Sequence, residues 1–210
     1  MTLYLIGGLG ADERVFKYLN INVKTKIINW IIQKPNEELK SYANRLTEQI
    51  NQDEEFAILG VSFGGIVAIE MNKFIKPKKL ILISSVEASN QLPRHFVALG
   101  KAAIFVMVPN SMIKPPSFIL GYLFGAENRK LLQQIIKDTK PIFIRWALKA
   151  IVSWSNNTNT NQTIRIHGTK DRLIPLKGNA ITVQDGGHFM IVDKAVQISK
   201  ILNEQLEYAG

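Results

Sequence analysis

The stretch Phe56-Ala57-Ile58-Leu59-Gly60-Val61-Ser62-Phe63-Gly64-Gly65-Ile66-Val67-Ala68-Ile69-Glu70-Met71 decides how the rest of the chain is interpreted. Its apolar start predicts a buried strand, and residues 65–71 predict a helix. Between them lies a G-x-S-x-G motif, in which the residues two before and two after Ser62 pass close together. Gly60 and Gly64 remove the side chains that would clash there. A five-residue motif also occurs by chance, so it needs a base, an acid and oxyanion donors elsewhere in the chain.

Composition and charge exclude several classes of protein. The 210 residues, with 46% hydrophobic and 20% charged, predict one soluble globular domain. The absence of cysteine excludes disulfides and thiolate chemistry. The start of the chain has no signal-peptide pattern, and no run reaches the roughly 18 apolar residues of a membrane span, so we expect a cytoplasmic protein. The net charge of +9 comes from scattered lysines without a basic-aromatic repeat, so no nucleic-acid partner is expected.

Strand and helix patterns alternate along most of the chain. Strands are predicted at residues 3–6, 26–30, 56–61, 79–83, 163–167 and 180–183, and helices after Asp12, after Pro35, after Ser62, at 141–154 and from 191 to 206. Each strand is a continuous apolar run, which is typical of strands buried on both faces. The chain therefore predicts an α/β fold, a mostly parallel sheet of about six strands with helices on both faces.

Residues from about 86 to 140 interrupt this alternation. They carry apolar helical patches separated by prolines and are too long for a simple connection. We interpret them as a helical insertion within a single domain of residues 1–210. Its aromatic residues are expected to pack mostly on one another and to line part of a pocket: Phe96, Phe105, Phe118, Tyr122 and Phe124.

The choice of a base for Ser62 is narrow, because the chain has three histidines. His167 lies inside a predicted strand and is interpreted as structural. His95 lies in the insertion, with no acid placed to orient it. His188 stands between a strand end and a helix start, after two glycines that let the chain turn sharply, and is the predicted base.

The acid is expected on the loop after the strand at 163–167, where it could reach the second ring nitrogen of His188. Asp171 stands at that place, although Asp is also common in turns. Glu87, just after the strand at 79–83, is the alternative, and Asp185 is too close to His188 in sequence to curl back easily. Asp171 is preferred because it gives the order Ser, Asp, His known from serine hydrolases built on parallel sheets.

Acyl transfer also requires donors for the oxyanion. The backbone N–H of Phe63, directly after Ser62, is one predicted donor. The second is expected in the loop Gly7-Gly8-Leu9-Gly10 after the first strand, with Leu9 as the donor, because little side-chain bulk lets N–H groups approach a substrate.

Together these motifs resemble the α/β-hydrolase superfamily over nearly the whole chain. The resemblance rests on residues 7–10, on Gly60–Gly64, on the segment from His167 through Asp171 to Pro175, and on Gly187-His188-Phe189. It implies Ser62 as nucleophile, Asp171 as acid, His188 as base and a cap formed by the insertion. The chain departs from the pattern in starting at the third of the usual eight strands, in having Gly7-Gly8 where His-Gly is familiar, and in a short link at 172–179. That link is too short for a full helix, so this edge of the sheet is expected to be irregular.

The predicted activity is hydrolysis of a carboxylic ester or thioester with an apolar part, through an acyl-enzyme. A C–C bond hydrolase or a lyase using the same three residues is an alternative, because function belongs to the site and not to the fold. A low-turnover ligand-sensing protein and a basic surface-binding protein are two others. No metal-ligand spacing, phosphate loop or dinucleotide fingerprint occurs, so no cofactor and no metal are expected. Arg94 and Lys114 are possible contacts for an anion, but a surface position is preferred for both.

Overall fold

The structure, a computed structural model, describes residues 1–94, 114, 116–157 and 163–207. Its centre is a six-stranded sheet in the order β2-β1-β3-β4-β5-β6, and every pair of neighbouring strands is parallel. The strands are β1 (Thr2–Ile6), β2 (Lys24–Ile27), β3 (Phe56–Val61), β4 (Lys79–Ile83), β5 (Thr163–Gly168) and β6 (Ile181–Val183). The prediction of a parallel α/β sheet of about six strands is confirmed.

Helices cover both faces of the sheet. The α-helices among the described residues are α1 (Leu39–Leu46), α2 (Phe63–Met71), α3 (Ser117–Phe124), α4 (Arg129–Asp138), α5 (Pro141–Ser153), α6 (Met190–Asp193) and α7 (Ala195–Glu207), and short 3-10 turns lie at Glu13–Phe16, Thr47–Gln49 and Ser89–Gln91. Alternate residues of each strand point to opposite faces of the sheet, and each face packs against helices to form a separate hydrophobic core. Ile58 joins the core formed with α1, α2 and α5, whereas Leu59 joins the core formed with α4, α6 and α7.

The second strand lies earlier in the chain than predicted. It was expected at residues 26–30, but β2 occupies Lys24–Ile27 and pairs only with β1, from Thr2↔Lys24 to Leu5↔Ile27. An edge strand is exposed along one side, so an apolar run does not mark it. Trp30 therefore lies outside the strand, and its ring stacks on that of Phe63 with centroids 5.6 Å apart.

Two helices also differ from the predicted pattern. The helix expected after Pro35 begins only at Leu39 and ends in a 3-10 turn after Leu46. The helix expected from residue 191 to 206 is divided at Lys194 into α6 and α7. Apolar spacing locates a helical face well, but it does not fix where the backbone hydrogen bonds begin and end.

The link between β5 and β6 contains no helix, yet the expected irregularity of this sheet edge is not observed. The strands pair regularly at Ile166↔Ile181, His167↔Thr182 and Gly168↔Val183. The Arg165 guanidinium, on β5, donates through Nη1 to the carbonyl oxygens of Lys177 (2.8 Å) and Asn179 (3.2 Å). A strand side chain thus satisfies link carbonyls that a helix would otherwise satisfy internally.

The structure describes part of the predicted insertion at residues 86–140. This part contains α3 and α4, and Leu132 and Ile135 of α4 are buried in the core shared with α6 and α7. Residues 95–113 and 115 lie outside the described residues, as do the predictions made for His95, Phe96 and Phe105. Among the helices that are described, none combines the length and apolar character required to cross a membrane.

We expect Gly64→Ala to destabilise the protein by about 2–3 kcal/mol, because its Cβ would overlap the carbonyl oxygens of Gly7 and Ile6. Gly121→Ala is the matched control, since its Cβ would meet nothing closer than 3.6 Å. Inside helix α3 that change should be neutral or stabilising by up to about 1 kcal/mol. Urea unfolding of both variants measures the difference, and equal midpoints would show that the close approach at Gly64 can relax.

Candidate active site

Ser62 lies in a strained turn between β3 and α2. Its φ of 53° and ψ of −120° are uncommon for a residue with a side chain, and such strain persists only where neighbouring contacts hold it. The Ser62 N–H donates to Ile83 O (2.9 Å), and the Ser62 carbonyl accepts from Ser85 Oγ (2.7 Å) and Gly65 N (2.9 Å). A Cβ on Gly60 would overlap Gly64 O, which confirms the steric reason expected for this glycine.

His188 bridges Ser62 and Asp171. Its Nε2 lies 2.8 Å from Ser62 Oγ, and its Nδ1 lies 2.8 Å from Asp171 Oδ2. The Phe124 ring meets the imidazole edge-on, with centroids 5.1 Å apart. A Cβ on Gly187 would come within 2.8 Å of Phe124 O, so the chain before His188 passes tightly against the end of α3. The structure thus brings the three residues selected from the sequence into one hydrogen-bonded chain.

The Asp171 carboxylate is buried and held by donors on both oxygens. Oδ1 accepts from the backbone N–H groups of Leu173 (3.0 Å) and Ile174 (2.9 Å), and Oδ2 faces His188. Burial alone would raise the pKa of Asp171, but the charge interaction with His188 and the contacts with His167, His188 and Ile174 N outweigh it. The pKa of Asp171 therefore lies well below its usual range, and the group is an anion at neutral pH.

An anionic Asp171 determines the tautomer of His188. A carboxylate only accepts, so Nδ1 carries the hydrogen and Nε2 presents its lone pair to the Ser62 hydroxyl. In this arrangement the serine proton can pass to the ring when Ser62 Oγ attacks an electrophile. The geometry is that required of a general base acting on a nucleophile.

The loop after β1 lies against Ser62. A Cβ on Gly8 would be 3.4 Å from Ser62 Cβ, which places Leu9, the next residue, beside the nucleophile. Thr139, at the end of α4, packs its side chain against Gly10 of this loop, with Oγ1 3.3 Å from Gly10 O while its hydroxyl donates to Ile135 O (2.7 Å). Phe63 begins α2, so its N–H is one of those a helix leaves without an intrahelical acceptor. The two predicted oxyanion donors therefore belong to segments that flank Ser62.

The remaining candidates from the sequence have other neighbours. Glu87 lies beside Arg165, with Oε1 and Nη1 3.7 Å apart, and Asp185 forms an exposed ion pair with Lys170 at 2.8 Å. Lys114 Nζ donates to Lys137 O, on α4. His167 is buried as expected, but the interpretation that it only packs against helices is incomplete, because it also contacts Asp171.

The apolar surroundings of Ser62 differ from those expected. Of the insertion aromatics that the structure describes, Phe124 lies against His188, whereas Phe118 and Tyr122 are 75% and 63% exposed. An aromatic cluster outside the insertion adjoins Phe63 instead: the rings of Trp30 and Trp146 contact Phe63, and Phe143 contacts both tryptophans. Its members are far apart in sequence, so no local pattern identified them.

Two further hydrogen bonds that support the site are not predicted by the sequence patterns. Ser85 supports the Ser62 carbonyl, and the only available signal was a pair of serines directly after a buried strand. Trp30 Nε1 donates 3.0 Å to Ala11 O and so helps to hold the loop after β1. Across the part of the chain that the structure describes, no group of three or more His, Cys, Asp or Glu side chains is arranged to hold a metal ion.

Comparison with known proteins gives similarity in structure only. No protein-family model and no curated protein sequence matches this chain. Among solved structures, a thermophilic esterase is 16% identical with a TM-score of 0.71, over 99% of this chain and 90% of that chain. An esterase from Exiguobacterium antarcticum is 18% identical with a TM-score of 0.68, over 100% and 91% of the two chains. A meta-cleavage product hydrolase from Pseudomonas fluorescens IP01 is 15% identical with a TM-score of 0.68, over 100% and 92%.

These neighbours align over nearly the full length of the chain. The chain therefore has the α/β-hydrolase fold, as its motifs predicted. At such low identity the likeness extends to the fold, and the chemistry must be argued from the site itself.

We expect the stabilising effect of Asp171 to disappear in acid. Because the pKa of Asp171 is lowered in the folded state, its contribution is present above the unfolded pKa of about 3.8 and is lost as the pH falls below it. The difference in unfolding free energy between wild type and Asp171→Asn should be large at pH 7 and pH 5 and shrink at pH 3. Denaturant unfolding at the three pH values measures this, and a difference independent of pH would contradict it.

Proposed function

We propose that this protein is a serine hydrolase that cleaves a carboxylic ester or thioester with an apolar part. The observation that carries the proposal is the continuous hydrogen-bonded chain from Ser62 Oγ through His188 to the buried carboxylate of Asp171. A serine hydroxyl is a weak nucleophile by itself and requires such a base, oriented by a third group. Esterases and a hydrolase among the proteins of similar fold support the same reaction class.

The proposed reaction has two halves. In the first, Ser62 Oγ attacks the carbonyl carbon while its proton passes to His188 Nε2, and the backbone N–H groups of Phe63 and Leu9 stabilise the oxyanion. The tetrahedral intermediate collapses, and the leaving alcohol or thiol takes the proton from His188. In the second half, water gives a proton to His188 and attacks the acyl-Ser62 carbonyl. Collapse returns the proton to Ser62 and releases the carboxylic acid.

An apolar part in the substrate is supported by the side chains on the segments that flank the nucleophile. Trp30 and Trp146 contact Phe63, the residue after Ser62, and both are partly buried, as is Leu9 in the loop after β1. Pockets lined in this way bind apolar groups and orient them with a few polar atoms. The exposed cations found near the site are paired or on the outer surface, as Lys170 and Arg172 are, so a polyanionic substrate is not favoured.

Cleavage of a C–C bond is the second candidate. It is favoured by one observation, namely that a meta-cleavage product hydrolase is among the proteins with a similar fold. The same Ser62, His188 and Asp171 would act on a ketone in place of an ester. A panel of substrates separates the two reactions.

The decisive experiment is labelling with a fluorophosphonate probe, which reacts with activated serines. Wild type should be labelled and Ser62→Ala should not. Ser153→Ala is the matched control, because Ser153 lies on the exposed end of α5 and only its own helix accepts its hydrogen bond, through Lys149 O. Labelling that persists in Ser62→Ala would overturn the assignment of the nucleophile. An unlabelled wild type would favour a ligand-sensing protein.

A substrate panel tests the proposed chemistry. We expect short acyl p-nitrophenyl esters or acyl thioesters to be turned over at least about tenfold faster than a polyanionic ester, because apolar side chains pack on the segments that flank Ser62. Initial rates with the purified protein give the comparison. Cleavage of vinylogous diketones with no turnover of esters would select the C–C hydrolase instead.

A further inference from the structure

His167 is a buried polar residue that the proposed mechanism does not use. It lies on β5, 1% exposed, four residues before Asp171. Its Nε2 is 2.7 Å from Ile174 O and 3.3 Å from Asp171 Oδ2. The ring therefore touches both ends of the turn that carries the proposed acid.

The position of the ring hydrogen follows from these neighbours. Both partners of Nε2 are acceptors, a carbonyl and a carboxylate, so Nε2 must carry the hydrogen. The Nδ1 atom has no hydrogen-bond partner among the described residues, and a hydrogen there would be a buried, unpaired donor costing about 1–3 kcal/mol. His167 thus presents a single donor, directed at Ile174 O and passing beside Asp171 Oδ2.

This donor completes a closed arrangement around the carboxylate. Asp171 Oδ1 accepts from Ile174 N, and the carbonyl of the same residue accepts from His167. The oxygen that His167 approaches, Oδ2, is also the oxygen that accepts from His188 Nδ1. The carboxylate can rotate only if the turn and the His167 ring move with it.

We propose that His167 is a positioning residue for the proposed acid. Its Nε2–H clamps the Asp171–Ile174 turn and lies against Oδ2, so the carboxylate meets His188 in one orientation. This inference rests on the proposed function, since it assigns a role within the same site. A packing role for His167 would require only the volume of the ring, whereas the proposed role requires the Nε2–H donor.

Loss of the donor has a consequence at His188. Without the Nε2–H clamp the turn from Asp171 to Ile174 can move, so the carboxylate no longer meets His188 Nδ1 in one orientation. The other charged groups near β5 face elsewhere. Arg165 is near Glu87, Lys170 is paired with Asp185, and Arg172 stacks on Tyr122. His167 is thus a neighbour through which the hydrogen bond between His188 and Asp171 can be changed selectively.

Three variants distinguish the effect of the His167 Nε2–H donor from a general loosening of the link between β5 and β6. His167→Leu removes the donor, and His167→Gln keeps an N–H close to the position of Nε2. Arg165→Met is the matched control, because Arg165 lies on the same face of β5 and also holds the link between β5 and β6. It does not touch Asp171 or His188 in any hydrogen bond of the described structure.

The test is an NMR measurement, at one fixed neutral pH, of the histidine ring N–H protons, which is practical because the chain has three histidines. The Nδ1–H signal of His188 is assigned from the signal lost in His188→Asn. In His167→Leu this signal should move upfield or broaden, because the hydrogen bond to Asp171 is no longer held in one geometry, whereas in His167→Gln it should stay as in wild type. Arg165→Met should lower the unfolding midpoint and leave the His188 signal unchanged.

Two outcomes overturn the inference. One is an unchanged His188 Nδ1–H signal in His167→Leu, and the other is the same change of that signal in Arg165→Met, which would reflect general loosening of the link. If His167→Leu does not fold, the comparison of His167→Gln with His167→Asn replaces it, because the shorter amide of Asn does not reach Asp171 and should change the signal. The NMR measurement requires no turnover, so it stands even if wild type is not labelled by fluorophosphonate, a result that would refute the proposed function alone.

Discussion

The close passage of three backbone segments at Gly60, Gly64 and Gly7 is the constraint on which the rest of the site depends. Helix α2 lies so near β3 and the end of β1 that a single Cβ on Gly60 or Gly64 would overlap a carbonyl oxygen. Because the backbone on either side of Ser62 is held in this close contact, Ser62 adopts a backbone conformation with φ of 53°. The strain is offset by the hydrogen bonds at its N–H and carbonyl, and the side chain projects from the sheet edge toward His188.

The parallel sheet gathers the other groups at the same edge. The carboxyl ends of β1, β3, β5 and β6 meet there, so the segments that follow them carry Leu9, Ser62, Asp171 and His188 into one region. The arrangement depends on distant parts of the chain as well. Thr139 and Trp30 hold the loop after β1, and Phe124 packs on the imidazole. The proposed chemistry therefore rests on contacts between elements that are far apart in sequence.

The turn that carries Asp171 is held by side chains of the strand before it. Because the link from β5 to β6 has no helix, His167 and Arg165 bind its carbonyl groups from the sheet. Asp171 binds the N–H groups of the same link. A short connection is thereby fixed without an additional layer of structure, and the carboxylate is placed by the same hydrogen bonds that stabilise the sheet edge.

The sequence by itself determined the strand–helix alternation, the parallel sheet and the residues Ser62, Asp171 and His188 as candidates, because buried strands and tight glycine turns leave local patterns. It did not determine the boundaries of the edge strand β2, where an exposed side removes the apolar signal, nor the regular pairing at the short link. Only the tertiary structure decided which aromatic residues pack on Phe63, next to Ser62, and that His167 touches Asp171. Such contacts join residues through the packing of separate elements, and sequence spacing carries no information about side-chain distance across a fold.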